Sequence, residues 1–152
     1  MLYNWFIATI APEVGQSWFD FYSIGHICFG IGVFMFFSLF YAIPKAKGYT
    51  PIFSLLMVFI CTMVILVLWE VAENLIFFWI GWEHLKFEGR PDSFANITTD
   101  ILIGTIGAVI AWIYAYLAFE KEKKIWEYYL FGIINFCIWL AVFIILRYLT
   151  LV

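Results

Sequence analysis

Residues 51–80, PIFSLLMVFICTMVILVLWEVAENLIFFWI, decide the fold of this chain. The apolar run after Pro51 holds roughly 29 residues without a Lys or Arg, whereas about 20 apolar residues at ~1.5 Å each cross a bilayer core. The surplus predicts a span that tilts, kinks or projects from the lipid. Glu70, Glu73 and Asn74 fall in its last third. A charged side chain in hydrocarbon costs several kcal/mol, so this part is expected to line a polar pocket rather than face lipid.

Outward from this run, the same reading finds a first span over about residues 21–42, closed by Pro44, Lys45, Lys47 and Gly48, with the second taken as about 51–80. A third follows at about 94–119 and a fourth at about 128–149, separated by the Glu120–Lys124 run EKEKK. The segment before Pro12 is apolar but too short to cross. It lacks the basic flank of a secretory signal and is expected to stay on the mature protein. Trp5 and Trp18 mark it as an interfacial or re-entrant element. The expected fold is therefore all-α: a polytopic membrane protein, a single domain over 1–152, built as a four-transmembrane-helix bundle with a short N-terminal interfacial or re-entrant segment.

Composition agrees. The chain is 66% hydrophobic and 12% charged, too apolar for one small water-soluble core. Its 23% aromatic content and eight Trp suit bilayer interfaces. The net charge of −3 excludes a basic nucleic-acid surface. Cys28, Cys61 and Cys137 lie within apolar runs, where cysteine acts as a small packing residue.

Lys and Arg set the expected orientation. Lys45, Lys47, Lys121, Lys123 and Lys124 share one side of a four-span topology, against Lys86 and Arg90, with Arg147 close to that second side. This places both termini and the polar Trp82–Ser93 stretch outside, most simply at the cell membrane.

Depth then picks out a candidate site. His26, Glu73, Asn74, Asn96 and Asp100 all fall within about seven residues of the outer span ends, which at ~1.5 Å per residue is the outer third of the bilayer. Glu70 lies about one turn deeper. Glu70, Glu73, Asn74 and Phe77 share a helical face, and Asp92, Asn96, Asp100, Gly104 and Gly107 form one stripe. On the first span Gly25 and Gly32 share a face, as do His26, Phe29, Gly30 and Val33. Such glycines let helices approach closely and would bring the carboxylate-bearing helices together.

Plainer readings compete. A lone His26 bonded to a backbone carbonyl is as good an account as a catalytic base, and Glu70 with Glu73 would also make a structural pair. Asn96 and Thr98 complete a glycosylation sequon, but at a membrane boundary it is read as chance. Glu83, His84, Lys86 and Glu88 read as a solvated loop. Several carboxyls in lipid exceed what helix-tying hydrogen bonds repay, at around 0.6 kcal/mol each. His26, Glu70, Glu73 and Asp100 are therefore taken as acid/base candidates. Asn74, Arg90, Asp92 and Asn96 are taken as substrate contacts, with Arg90 holding a phosphate or carboxylate through its planar fork. The alternative arrangement has Glu70, Glu73 and Asp100 holding a divalent cation, Mg²⁺ or Mn²⁺ ahead of copper or zinc.

The order E-x-x-E-N at 70–74 and R-P-D-S-x-x-N-x-x-x-D-x-x-x-G-x-x-G at 90–107, after His26, resembles the VanZ-like and YjdF-like membrane proteins of the lipocone type, over roughly residues 23–110. The resemblance implies four core helices with polar residues meeting near one membrane face, and action on lipid or polyprenol-linked head groups. It places Glu70 and Glu73 at the acidic second-helix positions, His26 at the first-helix histidine, and Arg90, Asp92, Asn96 and Asp100 on the loop and third helix. The chain departs from the VanZ pattern at Glu73, where Gln is usual, and at Asp20, which stands six residues before His26. The expected function is thus a lipid head-group hydrolase or transferase with membrane lipid as its partner. The rival is a non-catalytic protein whose carboxylates bind a cation, relay protons or hold a partner helix, as a homo-oligomer or as a subunit of a larger membrane complex.

Overall fold

A computed structural model describes residues 4–82, 86, 89–121 and 125–150, with the backbone alone for residues 143 and 146–150. Glu83, His84, Glu88, Lys123, Lys124 and the Arg147 side chain therefore lie outside what is described. Among the described residues, four helices are long and apolar enough to cross a membrane: α1, Ser23–Ala46; α2, Leu55–Trp79; α3, Phe94–Lys121; and α4, Ile125–Thr150, whose apolar window ends at Val142. Among the described residues there is no strand, only an isolated bridge between Ile7 and Phe19.

Helix boundaries follow local chemistry. Ser54 and Ser93 cap α2 and α3 by accepting from the N–H groups of Met57 and Asn96, which would otherwise lack partners. α2 therefore begins at Leu55, after the Pro51 boundary read from sequence. α1 runs past the expected end at residue 42 and takes Pro44 into its last turn. Pro44 has no N–H to give to the Phe40 carbonyl, and Ile52 N–H takes that place at 3.0 Å.

α1 is the central helix and packs against each of the others. Its contact with α3 is backbone on backbone. A Cβ on Gly30 would stand 1.9 Å from the Gly104 carbonyl oxygen, and one on Gly107 would stand 2.2 Å from that of Ile27. The α3 glycine stripe thus brings helices together as expected, but on α1 the residue responsible is Gly30. Among the described residues nothing lies within 4 Å of a Cβ added at Gly25 or Gly32, and both line a cavity instead.

A core of Phe34, Val58, Ala111, Ala115 and Tyr128 fills the middle and the α1 C-terminal end. Asn135 of α4 lines the cavity beside Cys28 and donates to the Cys28 carbonyl at 2.8 Å. Trp79 and Phe94, 87% and 85% exposed, stand at the opposite end, where aromatic side chains anchor a bundle in the membrane interface.

Candidate functional site

The N-terminal segment folds back over that aromatic-ringed end. Trp18 and Phe19 donate to the carbonyls of Trp5 and Phe6, and Glu13 in the Ala11–Glu13 turn accepts from the N–H groups of Asn4 and Thr9 at 2.7 and 2.8 Å. Those N–H donors hold the Glu13 carboxyl below its usual range. Three contacts sew this cap to the start of α3: Ser93 N–H to the Gly15 carbonyl, Ser93 Oγ–H to the Gln16 carbonyl, and the Gln16 amide to the Pro91 carbonyl.

Beneath the cap, three helices bring their polar side chains together. His26 Nε2 lies 3.3 Å from Asp100 Oδ2, and its Nδ1 lies 3.7 Å from Glu70 Oε1. One ligand atom from each of the three falls within 4.8 Å of the others. Glu70 and Asp100 are each only 4% exposed. Asn74 donates to Glu70 Oε2 at 3.2 Å, and its own oxygen receives the Asp92 N–H at 2.8 Å.

Glu73 stands outside this triad, whereas the metal set expected from sequence was Glu70, Glu73 and Asp100. Ala72–Ile76 is a π-helical turn, so the α-helical spacing that would align Glu70 with Glu73 fails there. Glu70 aligns with Asn74 instead, and Glu73 turns to Lys86, its Oε1 3.1 Å from the Lys86 Nζ. This π turn also absorbs part of the excess length of α2.

Lys86 is the residue that sequence reasoning missed. Read as part of a solvated loop, its side chain is only 6% exposed and it pairs with both Glu73 and Asp92. Burial alone would lower the Lys86 ammonium, but the two carboxylates more than offset this and hold it above its ordinary value. Burial pushes the Asp92 carboxyl up, and the attraction of Lys86 opposes that only in part. The available signal was the apolar flank of Lys86, between Leu85 and Phe87.

Arg90, expected to face substrate, donates to the Pro12 carbonyl and ties the cap to the loop. Asn96 is 1% exposed and donates to the Ser17 carbonyl at 3.1 Å and to Asp20 at 3.4 Å, a burial that also removes it as a glycosylation site. Asp20 is otherwise filled by the N–H groups of Gly15 and Tyr22 at 2.9 and 2.8 Å.

The cluster opens into a cavity of about 1070 Å³. Asp20, His26, Lys86, Asp92 and Asp100 line its polar end, while Phe29, Val33, Phe136, Trp139 and Val142 line the body between α1 and α4. Its lining on α1 extends from Gly25 to Leu39, about 21 Å at ~1.5 Å per residue.

The family model described as "Predicted membrane protein (DUF2238)" matches residues 2–121. The chain belongs to that family. The matched region holds the cap, α1 to α3 and every polar residue of the cluster, and α4 lies beyond it. Among curated proteins and solved structures, none matches this DUF2238 chain.

Proposed function

We propose that this membrane protein modifies the head group of a lipid or polyprenol-linked amphiphile, by hydrolysis or transfer at a phosphate or ester. The shape and polarity of the cavity carry the reading. Ligand pockets typically reach about 1,000 Å³ and combine an apolar body with a few converging polar groups. Here the polar groups sit at one end and a long apolar channel runs toward the other, as an amphiphile requires. The order of residues resembling VanZ-like proteins agrees with this.

In the hydrolytic version, the tail lies along Gly25 and Gly32, where absent side chains leave room, and the head group reaches Lys86. The Lys86 ammonium faces an anionic phosphate or a developing oxyanion. His26, oriented by Asp100, takes a proton from water as the water oxygen bonds to phosphorus or the acyl carbon. The bond to the leaving oxygen breaks, and that oxygen receives the proton from the imidazolium. Transfer replaces water by an acceptor hydroxyl. Asn74 and Asn96 hold the framework, so they act as positioning residues. The lysine distribution supports an outward-facing site with both termini outside.

The test is mass spectrometry of total lipid extract incubated with reconstituted protein. A new lipid species is expected with wild type and not with Asp100→Asn. Identical profiles from the two proteins across all lipid classes overturn the reading, as does a fixed stoichiometric partner whose helix occupies the cavity.

A further inference from the structure

We infer that His26, Glu70 and Asp100 form a binding site for one divalent transition-metal ion, with a nitrogen and two carboxylates as ligands. Its catalytic use rests on the reading above, with the ion in place of the His26 base as the group that would activate water; the site itself rests on geometry.

The carboxylates at this end of the bundle differ in what satisfies them. Asp20 is filled by N–H donors from Gly15, Tyr22 and Asn96. Glu73 and Asp92 share the Lys86 ammonium. Glu70 receives the Asn74 amide on Oε2, leaving Oε1 facing His26. Asp100 is 4% exposed, and its buried Oδ1 finds no hydrogen-bond donor among the described residues. A carboxylate oxygen buried without a donor is costly, and most such atoms in native proteins answer to a water, an ion or a ligand. As ligands beside a neutral imidazole, Glu70 and Asp100 would bring two negative charges, which one divalent cation balances.

Spacing and chemistry fit such an ion. Two ligands at about 2.0–2.1 Å on a tetrahedral centre stand about 3.3 Å apart. His26 Nε2 and Asp100 Oδ2 are at that separation, and Glu70 needs only to close inward from within 4.8 Å. His26 and Asp100 also line the cavity, so a fourth position would face a bound head group. Three protein ligands plus an open position is the arrangement of catalytic zinc and related sites. Replacing Glu73 by His26 in the expected set moves the preference from Mg²⁺ toward Mn²⁺ or Zn²⁺, because imidazole favours the transition metals.

Full-length protein in nanodiscs, stripped with chelator and then dialysed against Zn²⁺ or Mn²⁺, tests this by elemental analysis. About one ion per chain is expected for wild type and for Glu120→Gln, which lies at the opposite end of the bundle. His26→Ala and Asp100→Asn are expected to retain less than a tenth of that. Because a variant that misfolds would also lose metal, the Mn²⁺-loaded wild type is examined by electron spin-echo spectroscopy, where coupling to one imidazole nitrogen is expected. Wild type that keeps no stoichiometric metal, variants that load like wild type, or Mn²⁺ without nitrogen coupling would each overturn the site. Metal binding without any lipid product would leave the site standing and remove the proposed activity. Lipid turnover by wild type that takes up no metal would do the reverse.

Discussion

Lys86 Nζ stands 3.1 Å from Glu73 Oε1, inside a bundle end that the sequence presents as a solvated loop. The pair joins the loop between α2 and α3 to the π turn of α2. Lys86 is the more deeply buried partner, at 6% side-chain exposure against 24% for Glu73. Removing one member of a buried ion pair leaves the other uncompensated, typically at about 3–5 kcal/mol.

Lys86→Met is therefore expected to lower stability in detergent by about 2–4 kcal/mol, discounted for the part of Glu73 that solvent reaches. The double variant Lys86→Met with Glu73→Gln should recover part of the loss. Thermal unfolding of the four proteins gives the coupling. Strictly additive losses would show that the pair does not act as a unit. The sign with pH follows from the raised Lys86 value: its contribution is complete below the ordinary lysine value of 10.5 and is lost as pH rises through the higher folded value.

A contrasting ion pair at the other end should matter less. Lys45 pairs with Glu120, and both side chains are about one-third exposed, 36% and 33%. Glu120→Ala is expected to cost less than about 1 kcal/mol, measured in the same melts.

The glycines separate into two functional classes. Gly30→Ala and Gly107→Ala drive a Cβ into facing backbone, so α1 and α3 must part, with an expected loss of about 2–3 kcal/mol or more. Gly25→Ala and Gly32→Ala meet open space and gain helix propensity, so melting should hold or rise by about 0.5–1 kcal/mol. Because both residues line the cavity, Gly32→Leu should weaken uptake of a fluorescent single-chain lipid while leaving the fold intact.

The cap over the site depends on Glu13. Its carboxylate value is depressed by N–H donors, so its contribution is present above the ordinary 4.5 and fades as pH falls through the lower folded value. Protection of residues 4–20 against hydrogen exchange, taken relative to the intrinsic rate at each pH, is expected to fall in that acid window. Glu13→Gln should show the lowered protection already at neutral pH.

The sequence by itself determined the four-helix membrane fold, because burying backbone in hydrocarbon requires long apolar runs and those runs are read directly. It also determined that His26, Glu70, Asn74, Asn96 and Asp100 belong to one end, since depth along a helix is simply residue count. Which of them touch was decided only by the tertiary structure. The π turn at Ala72–Ile76 rotates Glu73 away from Glu70, a change of less than one residue's phase that α-helical periodicity has no means to register. Lys86 is buried against Glu73 and Asp92, which come from other parts of the chain, and such placement follows long-range packing rather than local pattern. Arg90 was drawn to the Pro12 carbonyl of the cap. Gly30, rather than Gly25 or Gly32, meets α3 because the crossing of two helices selects one glycine from a stripe. The chain thus carries its solvent and its depth in one dimension, while the partners of each charge depend on rotations that only packing sets.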